Sequence, residues 1–324
     1  MSKQLSFGFG GLAALALLIA GCTATPVVEE PTTPESSNAA TATATEGVTG
    51  EPVKFGVLAI DSAVSVNERY GPLIDYLSGA VGRPFELVIL SQESQFTQVA
   101  QGKVDFTTNN PLAAVQIRRL HDIEFLVTHT RPNTGSEFSG LIVADRDSDI
   151  KGIEDLRGKR GVCVAFQTAA AGCAFQIYHL LQKGIDPFTD FSSFVENKSQ
   201  DNIVLAVLNG SVDVGFIRTG QLEKMVDKGL IRSLDEVRIL DPQSDDFFYP
   251  HTTDLYPEWP VSALTDTDPD LVEQVRAALL ALPPDHPNLR ALRADGFVDA
   301  VDYSKLDALI EALKLKSWDA VDPS

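Results

Sequence analysis

Positive charge is scarce in this chain of 324 residues: 26 lysines and arginines stand against 45 aspartates and glutamates, a formal net charge of −19. A surface of that sign repels nucleic acid and anionic membrane and argues against both as partners. One cleft can still be locally positive and hold an anion. Histidine is thin and scattered, at positions 121, 129, 179, 251 and 286, with no metal-ligand spacing. Neither a metal nor a cofactor is expected. There is no glycine-rich phosphate loop and no nucleophile elbow. Cys173 and His179 fall on different faces of one expected helix and make no nucleophile–base pair, so the chain is not expected to be an enzyme. Long apolar runs are missing too: Phe7 to Ile19 is too short for a comfortable membrane span.

That short run has a different use. Lys3 precedes it and Ile19-Ala-Gly-Cys22 closes it, which resembles a bacterial lipoprotein processing site. Residues 1–21 are then a signal peptide, Cys22 is acylated, and the mature chain is an exported periplasmic or cell-surface lipoprotein whose membrane contact is its lipid anchor. Residues 22–52 are Thr, Ala, Pro, Glu and Ser with almost nothing to bury, and read as a disordered tether. The two cysteines left, Cys163 and Cys173, sit in an oxidising compartment either as a disulfide or as two buried thiols.

Beyond the tether, 44% hydrophobic content supports real cores. One phrase occurs twice: Gly102-Lys-Val-Asp-Phe-Thr-Thr-Asn-Asn-Pro111 and Gly210-Ser-Val-Asp-Val-Gly-Phe-Ile-Arg218. At one constant offset Gly102 meets Gly210, Val104 meets Val212, Asp105 meets Asp213, Tyr70 meets Tyr178, and Asn110 falls on Arg218. Strand-like and helix-like segments alternate through both copies, which argues for largely parallel sheets covered by helices. The expected fold is α/β: two doubly wound lobes, residues 53–139 with 247–324 and residues 140–246. The chain crosses between them near Ser136–Gly140 and near Asp246–Thr252, a hinge suited to closing around a ligand. Amphipathic helices over Asp268–Leu282 and Ser304–Leu315 are expected to pack on lobe one.

Ligands of open α/β sheets sit beyond the carboxyl ends of strands, and the candidates follow from that rule. Arg218-Thr219 offers a guanidinium fork, a hydroxyl and a helix start for an oxyanion, or a salt bridge across the hinge. Thr108, Asn109 and Asn110 can donate from the facing lobe or cap the helix that opens at Pro111. Gln167-Thr168 lies at a strand-to-helix turn, and Gln200 opens another helix. Tyr249 and His251 lie on the return crossing, where His251 could meet an anion or serve the hinge. Tyr256 and Trp259 read as packing anchors.

Phe138-Ser-Gly-Leu-Ile-Val, Ile153-Glu-Asp-Leu-Arg-Gly-Lys159, Gly184-Ile-Asp-Pro187, Ala206-Val-Leu-Asn-Gly210 and Asp295-Gly-Phe297 resemble type II periplasmic binding proteins of the phosphate/phosphite/phosphonate class. Thr108-Asn-Asn-Pro111, Arg218-Thr-Gly-Gln-Leu-Glu223 and Leu255-Tyr-Pro-Glu-Trp-Pro260 are similar to a branch that forms sensor domains of tetrathionate-type histidine kinases. The resemblance implies a monomer that binds a small anion, for an ABC permease or for a sensor kinase. The turn Gln167-Thr-Ala-Ala-Ala-Gly172 has one hydroxyl where phosphonate binders carry several, and Ser199-Gln-Asp201 stands where they carry a histidine. The solute is expected to be a small oxyanion, phosphate- or phosphonate-like, and these two departures count against phosphonate itself.

Overall fold

The computed structural model describes residues 50–60 and 62–313. The signal segment, Cys22 and most of the tether lie outside them. In chain order the elements are β1 (Val53–Leu58), α1 (Ala63–Val81), β2 (Phe85–Leu90), α2 (Ser94–Ala100), β3 (Phe106–Thr108), α3 (Pro111–His121), β4 (Glu124–Thr130), β5 (Glu137–Phe138) and β6 (Gly140–Asp145). Then come β7 (Arg160–Cys163), α4 (Phe175–Gln182), α5 (Pro187–Asp190), β8 (Ser193–Glu196), α6 (Gln200–Leu208), β9 (Val214–Arg218), α7 (Gln221–Asp227) and β10 (Val237–Ile239). The last are β11 (Tyr256–Pro257), β12 (Pro260–Ala263), α8 (Pro269–Leu280), α9 (Pro287–Leu292), β13 (Gly296–Asp299) and α10 (Ser304–Leu313).

Two sheets carry the two lobes, in the orders β13-β4-β12-β3-β1-β2 and β10-β6-β9-β7-β8. Both are mixed, where the alternation of segments suggested largely parallel sheets. The parallel strands are β2, β1 and β3 in one lobe and β8, β7 and β9 in the other. In contrast, β12 and β13 run against β4, and β6 runs against β9. The reason is where the chain enters. β6 starts opposite Arg218, and β12 starts opposite Thr128, both at carboxyl ends of neighbouring strands. A strand that enters a sheet at that edge must run back the other way.

The repeated phrase has one structural meaning in both lobes. Gly102 and Gly210 take left-handed backbone, φ 60° and 72°, as a helix-ending glycine does. Three residues on, Asp105 Oδ2 accepts from Lys54 N at 2.7 Å, and Asp213 Oδ2 accepts from Arg160 N at 2.7 Å. Each aspartate thus clips the start of a parallel strand of its own lobe, β1 or β7. In lobe two the Arg160 guanidinium adds to the clip at 2.7 and 3.0 Å, and this hydrogen bonding holds the Asp213 carboxyl below its ordinary range.

Each lobe has its own core, built around Phe55, Leu73 and Phe106 in lobe one and Ile142, Phe216 and Met225 in lobe two. A further cluster joins them. It takes Leu112 and Val115 from α3, Phe138 and Tyr256 from the crossings, Ala174 and Phe175 from lobe two, and Leu306, Leu309 and Ile310 from α10. The crossings pair with each other, Tyr256 opposite Phe138. The second crossing therefore lies beyond the Asp246–Thr252 segment, which is still tied to lobe two: Thr252 Oγ1 accepts from Ile142 N and donates to Leu240 O. α10 departs from expectation as well. It packs on α3 of lobe one and on α4 of lobe two, with Arg118 bridging to Asp307 at 2.7 Å. Amphipathic periodicity marks a face as covered without naming what covers it.

Cys163 and Cys173 are bonded, with Cα atoms 5.1 Å apart. The bridge closes a short loop between the end of β7 and a π-helical turn, Ala170–Ala174, that leads into α4. Loop closure of this length is worth about 3 kcal/mol. Reductant should therefore add two protons to the intact mass and lower the midpoint of urea unfolding, and Cys163→Ala/Cys173→Ala should unfold at the lowered midpoint with or without reductant. A midpoint indifferent to reductant would show that the bridge is absent in solution.

Candidate functional site

The carboxyl ends of both parallel strand sets face the seam between the lobes, and they bring a subset of the candidate residues together. Asn110 performs two tasks. Its Oδ1 caps α3 by accepting from Ala113 N at 3.1 Å, and its Nδ2 donates across the seam to Thr168 O at 2.9 Å. Beside it Gln116 Nε2 donates to Gln167 O at 3.0 Å. At the exposed rim Lys198 Nζ of lobe two reaches Glu93 Oε1 of lobe one at 3.0 Å, and that bond is the largest cause of the lowered Glu93 pKa. Asn110 thus meets Thr168 and Gln116 meets Gln167, with the lobes in contact.

Arg218 closes β9 opposite Gly140. Its backbone N donates to Gln200 Oε1 at 2.9 Å and its Nη1 to Thr219 O at 3.2 Å. A side chain on Gly172, on the π-helical turn, would run into Val164 and reach the Gln200 amide, so Gln200 lies near the turn after β7 as well as at the Arg218 strand end. Thr219 faces the hinge: its backbone N donates to Ser139 O at 3.0 Å and its Oγ1 to the same oxygen at 3.2 Å. Gly220 (φ 73°) opens α7, and a side chain there would touch the Tyr249 ring. Burial pushes the Glu223 carboxyl above its ordinary range, opposed by a backbone hydrogen bond and by the Arg218 charge. A separate hollow on lobe two, lined by Leu141, Arg146, Leu222, Glu223, Arg238 and Pro250, lies apart from the Asn110–Thr168 seam.

Other candidates point elsewhere. Thr108 is fully buried with Oγ1 3.1 Å from His129 Nε2, inside lobe one. Asn109 is also fully buried and donates Nδ2 to Gln95 Oε1 at 2.7 Å. His251 stands in the hinge region: Nδ1 lies 2.8 Å from Thr253 O, and Nε2 lies 3.0 Å from Asp245 Oδ1. Tyr256 stacks on Phe175 with ring centroids 3.8 Å apart. Among the described residues there is no group of three His, Cys, Asp or Glu able to hold a metal ion.

Sequence reasoning overlooked Gln116 and Gln176. Each is a polar residue inside an apolar helical run, Leu112–Ile117 and Phe175–Ile177, and each is fully or nearly fully buried. Such a residue needs polar partners. Gln116 finds its partner across the seam. Gln176 Nε2 lies 2.7 to 3.2 Å from the carbonyls of Ala171, Ile217 and Leu141, and a side chain on Gly140 would run into its amide.

Two α/β lobes with mixed sheets, paired crossings and polar strand ends at a shared seam define the two-lobe periplasmic binding-protein fold. The chain belongs to the phosphonate-binding family of periplasmic substrate-binding proteins of ABC transporters: the family model, described as ABC transporter, phosphonate, periplasmic substrate-binding protein, matches residues 55–304. This is a family of binding proteins, not of enzymes. Among solved structures, XAC2383 from Xanthomonas citri bound to ATP is 20% identical over 84% of this chain and 100% of its own, with a TM-score of 0.67. PhnD1 from Prochlorococcus marinus in complex with methylphosphonate is 15% identical over 81% of this chain and 98% of its own, with a TM-score of 0.67. A binding protein component of an ABC phosphonate transporter from Pseudomonas aeruginosa is 17% identical over 83% of this chain and 95% of its own, with a TM-score of 0.64. No curated protein matches the chain.

His129 supplies a test of the ground beneath this site. Burial, then the charges of Arg131 and Arg69, hold its pKa well below the ordinary 6.5. The folded chain keeps His129 neutral while the unfolded chain takes up a proton near pH 6.5, so stability falls as pH drops below that value. Carboxylates with lowered pKa values lose their contribution only around pH 4 and below. Unfolding free energy should therefore decline from pH 7 to pH 5, and His129→Gln should flatten the slope. An equal slope in the variant would place the titrating group elsewhere.

Proposed function

We propose that the chain captures a small oxyanion, phosphate- or phosphonate-like, between its lobes for an ABC importer. The carrying observation is that polar ends of both strand sets meet at one seam, with Asn110 reaching the Thr168 carbonyl and Arg218 ending β9 opposite the hinge glycine. On this reading Arg218 supplies the positive charge that the acidic surface lacks. Asn110, Gln167, Thr168 and Gln200 supply the surrounding hydrogen-bonding groups, Thr219 is engaged by Ser139 at the hinge, and Tyr249 bounds the site beside Gly220. Membership of the phosphonate-binding family supports the solute class, and methylphosphonate in the Prochlorococcus relative is a natural first probe.

The test is calorimetric titration with methylphosphonate, phosphate, phosphite and sulfate. A charged hydrogen bond is worth roughly 1.5–3 kcal/mol, so Arg218→Ala should weaken binding by roughly 10- to 150-fold while the solute-free melting temperature stays nearly unchanged. Asn110→Ala is a poor probe, because it also removes the α3 cap at about 1 kcal/mol. Asn110→Ser keeps a capping oxygen, gives up the reach to Thr168 O, and should weaken binding with little loss of stability. If Arg218→Ala binds normally and melts much lower, Arg218 is a structural hinge residue and this reading fails.

We also propose that a lipid on Cys22 ties this domain to a membrane through the tether, the Ile19-Ala-Gly-Cys22 site being the motivation. Cys22→Ala should move the protein from the membrane fraction to the soluble one; a variant that still fractionates with membranes would refute the anchor.

A further inference from the structure

We infer that Gln116 is a closure residue: it sets solute affinity by holding the lobes together and does not touch the solute. The inference rests on the reading of the seam as a solute cleft. Gln116 belongs to α3 of lobe one, is 1% exposed, and donates Nε2 to the Gln167 carbonyl of lobe two at 3.0 Å. A backbone carbonyl can only accept, so the orientation of the amide is fixed and the other amide atom is Oε1. That Oε1 is buried with no hydrogen-bond partner among the described residues.

The two ends of this amide act in opposite senses. Closing forms a bond at Nε2, and closing also strips water from Oε1 without replacing it, which opposes the gain. A contact of that kind holds weakly. It suits an equilibrium that must run both ways, since a strong latch would shut the lobes permanently. The acceptor sits on the loop closed by Cys163 and Cys173, so the bond reports the position of a stapled turn rather than of a loose one. Gln116 is also adjacent, through Gln167 and Thr168, to the Asn110 contact, so the two amides close on neighbouring carbonyls.

Two variants test this. Gln116→Met keeps length and removes the donor. The buried Oε1 disappears and the Gln167 carbonyl loses its Gln116 donor, so the net loss is one neutral hydrogen bond, about a 2- to 12-fold rise in Kd. Gln116→Glu sets a carboxylate against a carbonyl oxygen and should disfavour closure further at pH 7.5. At pH 5 a carboxyl raised by burial regains a proton that can be donated to the same carbonyl, so the deficit relative to the unaltered chain should shrink.

The measurements are small-angle scattering of the purified chain without added solute and titration with methylphosphonate, phosphate and phosphite. The expected result is a larger radius of gyration in both variants, with affinity reduced by a similar factor for every solute that binds. A changed order of preference among solutes would make Gln116 a solute contact and overturn the inference, as would unchanged scattering and affinity in both variants. If none of the solutes binds the unaltered chain, the cleft reading fails, and scattering alone still decides whether Gln116 holds the lobes. A variant that melts far below the unaltered chain is set aside in favour of the other, and misfolding of both would show a structural residue and refute closure as its role.

Discussion

The stack of Phe175 on Tyr256 is the contact on which the two-lobe arrangement turns. Phe175 begins the helix after the π-helical turn of lobe two, and Tyr256 lies on the return crossing. Phe138, from the outgoing crossing, meets the same ring edge-on at 5.5 Å. Both passages of the chain between the lobes are thereby packed on one lobe-two side chain. Aromatic pairs contribute beyond the area they bury. Around them Leu112, Val115 and the apolar face of α10 exclude water. A pivot made this way is dry and fixed, while contacts farther out are polar: an amide on a carbonyl at Asn110 and Gln116, then a solvated ion pair between Glu93 and Lys198. Polar contacts exchange readily with water, whereas the apolar pivot does not. The seam therefore has an apolar side at the crossings and a polar side at its rim.

The mixed sheets follow from the same layout. Crossing strands must begin at the hinge edge, so β6 and β12 run against the parallel set. As a result the strand starts of one set and the strand ends of the other share a boundary. Arg218 is level with Gly140, and Thr108 with Val261. Thr108 is held on both sides by backbone ladder, and Arg218 on its β6 side.

Much of this was legible in the sequence where the chemistry is local. The twin Gly-x-Val-Asp phrases could be read because a helix-stopping glycine and a strand-clipping aspartate act within a few residues of themselves. Arg218 and Asn110 could be placed at strand ends for the same reason, and their equivalence in the repeat points to one edge. What could not be read was direction and partnership. Thr107, Thr108 and Asn109 look alike as polar residues after a strand, and only the register decides that Thr108 meets His129 while Asn110 crosses to the other lobe. Gln116 and Gln176 are single polar letters in apolar runs. Their need for partners is plain from composition, but the partners are backbone carbonyls far along the chain, and backbone carbonyls have no signature. The helix Ser304–Leu313 shows its apolar face openly, yet periodicity is silent about whether one lobe or both will cover it.

The π-helical turn at Ala170–Ala174 carries one more residue than an α-helical turn would hold. Such bulges behave as single-residue insertions kept inside a helix. Removing that residue would not merely shorten the turn. Each residue advances an α-helix by about 100°, so every side chain from Phe175 to Gln182 would swing around the axis by roughly that angle. Phe175 would leave Tyr256, and Gln176 would lose its carbonyls. The alanines of this turn are small enough to let the backbone bulge in a crowded place. In descendants of this chain the spacing between Ala169 and Phe175 should therefore tolerate substitution far better than a change in length.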